Sequence, residues 1–389
     1  MAVVCVTGTG LCFADDGVRL QRFGPNTTTG LSSAIRVSNA DLVHTTQLLP
    51  GAVIATEADL QTADVLTSLG ELLREFQSSG DDIVKLNVYV RDAEVRDAFA
   101  TTLARWGESR LPSVSYVATP LPDERALVAL DAVFVSRLPN AQRLPTLHRV
   151  ARIAEEKRHS QAAVLPAGDV VYVAGQAEPG ALVEATRATL DGLLKTLAHL
   201  ALDRRHIVQV KCFLQPMSDV ATVNEQMAAF FGDGLIPPVS YVEWISGSAP
   251  IEIELVAWAS PGESSDTLSY ATPPWMKSSP VFSRLSRIHG NDRIYTSGLY
   301  SELAGSGEEQ VRAVFKQLRQ VLDLSGSDLR HLAKATYYVS DADASRQLNQ
   351  LRPEYYDPQR PPAASKATVA DVAGKNRSLT LDMIAAPIR

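Results

Sequence analysis

The sequence predicts an α+β chain built from three tandem copies of one unit, and three sets of aligned segments carry that expectation. The segment LPSVSYVATPLPDERALVALDAVFV (111–135) matches IPPVSYVEWISGSAPIEIELVAWA (236–259) and, more loosely, PPAASKATVADVAGKNRSLTLDMIAAPI (361–388). Their serines fall at Ser115, Ser240 and Ser365, a constant step of 125 residues. Upstream, DIVKLNVYVRDAEVRDAF (82–99), HIVQVKCFLQPMSDVATVN (206–224) and HLAKATYYVSDADASRQLN (331–349) align as a strand, an acidic turn and a helix start. Further back, TTQ (45–47), AGQ (174–176) and SGL (297–299) each close an apolar strand before a polar loop. The same pieces in the same order at a fixed period mark a repeat architecture.

Within a unit, periodicity supplies the elements. Leu66, Leu69, Leu73 and Phe76 recur at helical spacing, as do Leu190, Leu193, Leu194 and Leu197, and then Val311, Val314, Phe315, Leu318 and Leu322. LVALDAVFV and IEIELVAWA each follow a polar turn and read as strands. The order in each unit is therefore strands, helix, strand, helix, strands. The Pro- and Ser-rich stretches SRLPNAQRLP (136–145) and SPGESSDTLSYATPPWMKSSP (260–280) read as linkers and divide the chain into 1–142, 143–264 and 265–389.

Composition excludes several classes. At roughly 100–200 residues per domain, 389 residues imply more than one domain. With 45% apolar and 21% charged residues there is material for buried cores and no case for disorder. Thirty-seven basic against 44 acidic side chains, a net charge of -7, argue against a nucleic-acid partner, which needs clustered Lys and Arg. Cys5, Cys12 and Cys212 make neither a CxxC pair nor an even framework, which fits a reducing cytoplasm and no cysteine-based zinc site. The beginning of the chain lacks a basic n-region, and no apolar run of about 18 residues occurs, so neither a signal peptide nor a membrane span is expected. The seven histidines show no metal-ligand spacing, and no metal or other cofactor is expected. His44 either borders the first pocket or is a satisfied or surface histidine. Gly8-Thr9-Gly10 reads as a hairpin turn rather than a phosphate cradle. No GxSxG elbow supports the three aligned serines as nucleophiles, leaving structural or ligand-bonding hydroxyls. The four tryptophans read as core or interface packing.

The IVKxxVYVxD-like strand, the short helix, the Pro-x-x-Ser turn and the IEIE-like final strand together resemble the Rid family, also called YjgF or endoribonuclease L-PSP. The resemblance spans essentially the whole chain as three copies and is strongest in the second. It implies a chorismate mutase-like fold, each copy a sheet covered by two helices. Family members usually form homotrimers with pockets between subunits, so three copies imply a single-chain pseudotrimer, monomeric unless it associates further. A three-fold ring of heterologous contacts closes equally well when linkers join its protomers.

In the family, an Arg two residues after the Pro holds a substrate carboxylate while backbone groups and an acidic side chain position a water that adds to an imine carbon and releases ammonia. The matching positions here are Val114, Val239 and Ala364, so the cation is missing from every copy. Neither Val nor Ala supplies a bidentate clamp. Two residues further along, on the same strand face, stand Tyr116, Tyr241 and Lys366. Lys366 is a candidate displaced anchor, with Arg360 second, and a solvated strand-edge lysine is the alternative. Tyr116 and Tyr241 either bond ligand or pack an interface.

The family's acidic position matches Glu252, with Ala129 and Thr380 in the other copies, and Glu252 is the candidate to position water; the alternative is an exposed edge-strand glutamate. The family's helix Asn matches Asn224 and Asn349, against Phe99 in the first copy; its ligand-facing Gly matches Gly175 and Gly298, against Thr46. The best-preserved pocket on this reading holds Gly175, Asn224, Ser240, Tyr241 and Glu252, completed by a neighbouring unit. The resulting expectation is a protein that takes a small carboxylate- or carbonyl-bearing metabolite between units, either as a hydrolytic imine or enamine deaminase or as a non-catalytic binding protein that lost the Arg. Endoribonuclease activity, implied by the older family label, fits the acidic charge balance poorly.

Overall fold

The computed structural model describes residues 17, 19–26, 29, 31–51, 55–106, 112–140, 142–151, 153, 158–245, 247–301 and 304–389. Gly8-Thr9-Gly10, Cys5 and Cys12 lie outside the described residues. The first repeat runs β1 (Arg19–Phe23), β2 (Ala34–Ser38), β3 (Leu42–Thr45), α1 (Ala58–Glu75), β4 (Ile83–Val90), α2 (Ala93–Trp106), β5 (Ser113–Ala118) and β6 (Val128–Val135). The second runs β7 (Thr146–His148), β8 (Ala162–Leu165), β9 (Asp169–Gln176), α3 (Leu182–Ala198), β10 (Ile207–Leu214), α4 (Val220–Phe231), β11 (Val239–Glu243) and β12 (Ile251–Ala259). The third runs β13 (Leu268–Ala271), β14 (Leu285–Ile288), β15 (Arg293–Thr296), β16 (Leu299–Tyr300), α5 (Gly307–Ser325), β17 (Leu332–Val339), α6 (Ala342–Tyr355), β18 (Ala363–Thr368) and β19 (Leu379–Ala385). This is the α+β arrangement of three domains, two helices on each sheet, that the repeat pattern predicts.

The sheets do not follow the chain boundaries. Their orders are β5-β4-β6-β3-β8-β7, β11-β10-β12-β9-β14-β13 and β1-β2-β15-β19-β17-β18, with β16 beside β19. The opening strand pair of each repeat thus completes the sheet of the preceding repeat, and the first repeat's pair completes the third. β2 lies antiparallel on β15 from Arg293↔Val37 to Thr296↔Ala34, reinforced by an ion pair of 2.9 Å between Arg36 and Asp292. These exchanges join the three sheets into a closed ring. A chain lacking residues 1–38 is expected to present β15 as an unpaired edge and to self-associate. Light scattering after gel filtration should show concentration-dependent dimers or larger species; a clean monomer would mean that the edge is protected without the hairpin.

Strand alternation sends one face of each sheet to its helices and the other to the centre of the ring. On the helical side, α1 seals Val65, Leu66, Leu69, Leu72 and Leu73 against β4 and β6, and the other two repeats build the same layer around Leu190, Leu193 and Leu197 or Val311, Val314, Phe315 and Leu318. α5 begins with a capping box between Ser306 and Glu309 and ends on Gly326 in the left-handed region, which stops it sharply. On the inner side, the centre is layered. An apolar layer with Leu42, Val170, Val256 and Trp258 lies at one end, and a second with Tyr89, Phe213, Trp244 and Tyr338 lies at the other. Between them sits a belt of ionic groups around a cavity of about 40 Å³, the buried Lys85, Lys211, Asp131 and Glu254 with the partly buried Lys334 and Asp382.

Candidate functional site

Three seams join the repeats, each between the loop after β3, β9 or β15 and the neighbour's β11, β18 or β5. At the second–third seam, the Gly175 N–H donates to Ser365 Oγ at 3.1 Å. Glu252, on β12 beside β9, fills the space over Gly175: a Cβ there would lie 2.0 Å from Glu252 Oε1 and 2.7 Å from Ser365 Oγ. Only glycine fits this close approach. Glu254, two residues along the same face, is already engaged by Ser365 Oγ at 2.6 Å and by Lys334 Nζ at 2.6 Å. Glu252 makes no ion pair within 4.0 Å of its carboxylate among the described residues. Burial, and then the neighbouring Glu254 charge, push its pKa up to about 7, while Ser365 and Arg284 act in the opposite direction.

Arg284 brings the outside of the site into view. A cleft of about 400 Å³ is lined by Gln176, Glu178, Gly192, Lys195, Trp275, Met276, Lys277 and Arg284. It therefore begins one residue beyond Gly175 and ends on the guanidinium whose charge acts on Glu252. Arg284 packs on the Phe282 ring and directs Nε to the Lys277 carbonyl at 3.5 Å, and no described carboxylate pairs with it. Lys195 sits over the Trp275 ring at 4.5 Å. Three cations against one carboxylate make this cleft hospitable to an anion.

The other two seams are closed by their own side chains. At the first–second seam, Gln47 brackets Tyr241, its Nε2 donating to the Tyr241 carbonyl and its Oε1 accepting the Tyr241 N–H, both at 3.1 Å. Thr46 Oγ1 adds a bond to the Val239 carbonyl. At the third–first seam, the Tyr300 hydroxyl donates to the carbonyls of Tyr116 and Val372. Gly298 here lies against Ser115, whose Oγ would be 3.1 Å from an added Cβ. At the second–third seam the equivalent glutamine, Gln176, turns away and donates to Thr196 Oγ1 at 2.8 Å.

The geometry divides the residues that sequence places in one pocket. Gly175, Glu252 and Ser365 come together. Tyr241 and Asn224 do not join them: Tyr241 OH bonds Asn224 Oδ1 at 2.5 Å, and the pair lies at the seam with the first repeat. The cause is topological, since β11 edges the second sheet on the side of Gln47 while β9 and β12 meet β18. Lys366 and Asn349 belong to the seam of Glu252, on the helical side of β18, where Lys366 Nζ reaches Asn349 Oδ1 at 3.2 Å and Ser345 Oγ at 3.0 Å. Burial and Arg352 push the Lys366 pKa down. In the first repeat the same strand–helix pair is Tyr116 on Phe99, an edge contact at 6.0 Å. The helix and strand positions aligned by sequence thus meet in all three repeats. Arg360 is held elsewhere, over Tyr270 and against the Arg330 and Leu268 carbonyls.

The aligned serines serve the ionic belt. Ser240 donates to Asp131 at 2.7 Å, and Ser115 accepts from Lys85 Nζ at 2.6 Å. His44 faces the centre with Nδ1 3.0 Å from Gln209 Oε1, and burial pushes its pKa down to about 4. Trp106, Trp244 and Trp258 pack into cores, whereas Trp275 is 46% exposed on the cleft. Sequence reasoning missed Arg284, Lys195, Trp275 and Lys277: Trp275 and Lys277 come from the linker segment, Arg284 lies just after it ahead of β14, and Lys195 stands on α3, none of them in a motif aligned between the repeats. Among the described residues no three His, Cys, Asp or Glu side chains converge as a metal site, and no helix is long and apolar enough to cross a membrane.

A family model described as Endoribonuclease L-PSP matches residues 150–259 and 277–386. Solved structures similar to this chain include a member of the YjgF protein family from Neisseria meningitidis, 22% identical over 31% of this chain and 96% of that one, with a TM-score of 0.25. A member of the YjgF/YER057c/UK114 family from Mycobacterium tuberculosis is 16% identical over 24% and 78%, TM-score 0.23. A putative endoribonuclease L-PSP from Entamoeba histolytica is 25% identical over 24% and 79%, TM-score 0.23. No curated protein matches the chain.

Proposed function

Because this chain belongs to the endoribonuclease L-PSP family, known also as YjgF or Rid, we propose that it takes a small carboxylate-bearing imine or enamine at the seam between its second and third repeats and hydrolyses it there. The observation that carries the reading is Glu252, a carboxylate without an ion-pair partner, with a pKa near 7, packed against Gly175 and Ser365. A base of that pKa is matched to neutral pH. In its ionised form Glu252 accepts a proton from water as the oxygen attacks the imine carbon. The C=N electron pair moves to nitrogen, which takes the proton back from Glu252 to give the carbinolamine; Glu252 then accepts the carbinolamine hydroxyl proton and passes it to the nitrogen as C=O forms and the C–N bond breaks, releasing ammonia and a 2-oxo acid.

Arg284 takes over the task of the absent family arginine in this scheme. It reaches the seam from just ahead of β14 instead of the strand after the proline, and its guanidinium presents two nitrogens to a carboxylate entering from the cleft. Lys366 and Asn349 bond each other on the opposite face of β18 from Ser365, outside the lining of this cleft, and take no part in the scheme. An R284M variant is expected to raise KM at least tenfold and to move the acidic limb of the pH–rate profile upward, since Arg284 lowers the Glu252 pKa. The profile decides between this role and a purely structural one, which would leave the limb in place.

The first test is ammonia release from enzymatically generated 2-imino acids, run beside a family member that keeps the strand arginine. Release above the buffer rate supports the proposal. No release with an active control would leave a binding protein, and isothermal titration with the matching 2-oxo acids would then show heat in the wild type and none in R284M.

A further inference from the structure

We propose that the centre of the ring holds a small monovalent inorganic anion, chloride in type, against Arg293, Tyr172 and Tyr295. This site is separate from the seam of Glu252. Arg293, on β15, is fully buried. Its Nη2 donates to the Gly168 carbonyl at 2.7 Å, and Nε and Nη1 have no hydrogen-bond partner among the described residues. Beside it stand three side chains at equivalent places in the three repeats. His44, Tyr172 and Tyr295 lie opposite Val133, Val256 and Ile384 in their sheets. Nε2 of His44 also lacks a partner among the described residues, the Tyr172 and Tyr295 hydroxyls face each other so that one O–H is left to donate, and each of the three groups feels the Arg293 charge. His44 and Tyr295, though neither Arg293 nor Tyr172, line the central cavity of about 40 Å³. That volume suits one small ion or very few waters.

Charge separates the two occupants. The belt below balances itself, with Lys85, Lys211 and Lys334 facing Asp131, Glu254 and Asp382. His44 is neutral with a pKa near 4. Asp41, the acidic group that acts on Arg293, is half-buried and engaged by the Ala167 N–H at 2.7 Å, outside ion-pair distance of the guanidinium. Arg293 is thus a buried cation with no carboxylate within ion-pair distance among the described residues, an arrangement that costs several kcal/mol unless something neutralises it. Water would satisfy the donors and leave the charge; an anion does both. The layer does not require an arginine for packing. Two residues before His44 and Tyr172, where Arg293 precedes Tyr295, the other repeats have Leu42 and Val170.

The test compares wild type with R293L, which places in the third repeat the residue type that the first already carries. At constant ionic strength, replacing sodium gluconate by sodium chloride or bromide should raise the wild-type Tm by a few degrees with a saturable dependence, and leave R293L unmoved. Crystals grown in bromide should show anomalous density within hydrogen-bond reach of Arg293. A flat wild-type response with no bromide peak overturns the proposal, and so does an R293L that responds as the wild type does. Because the bromide experiment uses the wild type, a poorly folding variant does not shield the idea.

Discussion

Replacing Glu252 by glutamine is expected to lower turnover by about 10²–10⁴-fold, the usual contribution of a positioned acid–base group, while making the protein more stable at high pH. Both effects come from the same burial. The folded pKa of about 7 stands above the ordinary 4.5, so the native state keeps a proton that the unfolded chain has released. Stability therefore falls as pH rises from about 4.5 to 7, and above that the penalty is constant at about 3 kcal/mol. Glutamine cannot ionise and escapes it. The E252Q variant should gain most of that difference relative to wild type when urea unfolding is compared at pH 8 and pH 4, and its residual activity should lose the acidic limb centred near pH 7. An E252Q protein with wild-type turnover removes Glu252 from the chemistry; one with unchanged pH-dependence of stability would mean that the carboxylate is solvated.

The contrast between what was legible and what was not follows from the range of the interactions involved. Leu66, Leu69 and Leu73 announce a helix because burial of one helical face is a local, periodic demand, and the 125-residue step of Ser115, Ser240 and Ser365 reports a repeat directly. The hairpin exchange left no such trace. β2 and β3 bury the same faces whether they pair with each other or with β15 and β8, so alternation along the strands is silent about the partner. Glu252 and Gly175 were readable as a pair, since both stand in the same copy, and the structure packs one on the other. Tyr241 and Asn224 were assigned with them because the neighbour across a seam is a property of the ring, which no segment of sequence encodes. Arg284 was invisible for a different reason: it lies just after a linker, and its relevance arises only from where β14 docks on β9.

The ionic belt provides the largest expected effect on stability. Asp382, its side chain 14% exposed, pairs with the buried Lys85 at 2.7 Å. Burial pushes its pKa up, yet Lys85, Lys334 and Lys211 together outweigh that and hold it below the ordinary carboxylate value. Lys85 moves the other way relative to its own charged form: burial pushes its pKa down further than Asp382 restores it. The asymmetry follows from the charges that face each group: Lys85, Lys334 and Lys211 all act to ionise Asp382, whereas Lys85 feels Lys211 against its own charge. Removing the carboxylate should therefore hurt more than removing the lysine. D382N is expected to cost about 3–5 kcal/mol at pH 7, leaving Lys85 buried with hydrogen bonds to Ser115 and the Thr296 carbonyl and only the more distant Asp131 charge in its favour. K85M should cost less, since Lys334 and Lys211 still face Asp382. The sign of the pH effect follows from linkage: with the Lys85 pKa depressed further in D382N, the unfolded state binds more protons, and the variant regains stability as pH rises toward 9. A double variant, K85M/D382L, should recover most of the loss, because an apolar pair of similar volume leaves no uncompensated charge. Urea unfolding of the four proteins at pH 7 and 9 measures all of these quantities. Equal costs for D382N and K85M would mean that the belt behaves as isolated pairs instead of one shared network.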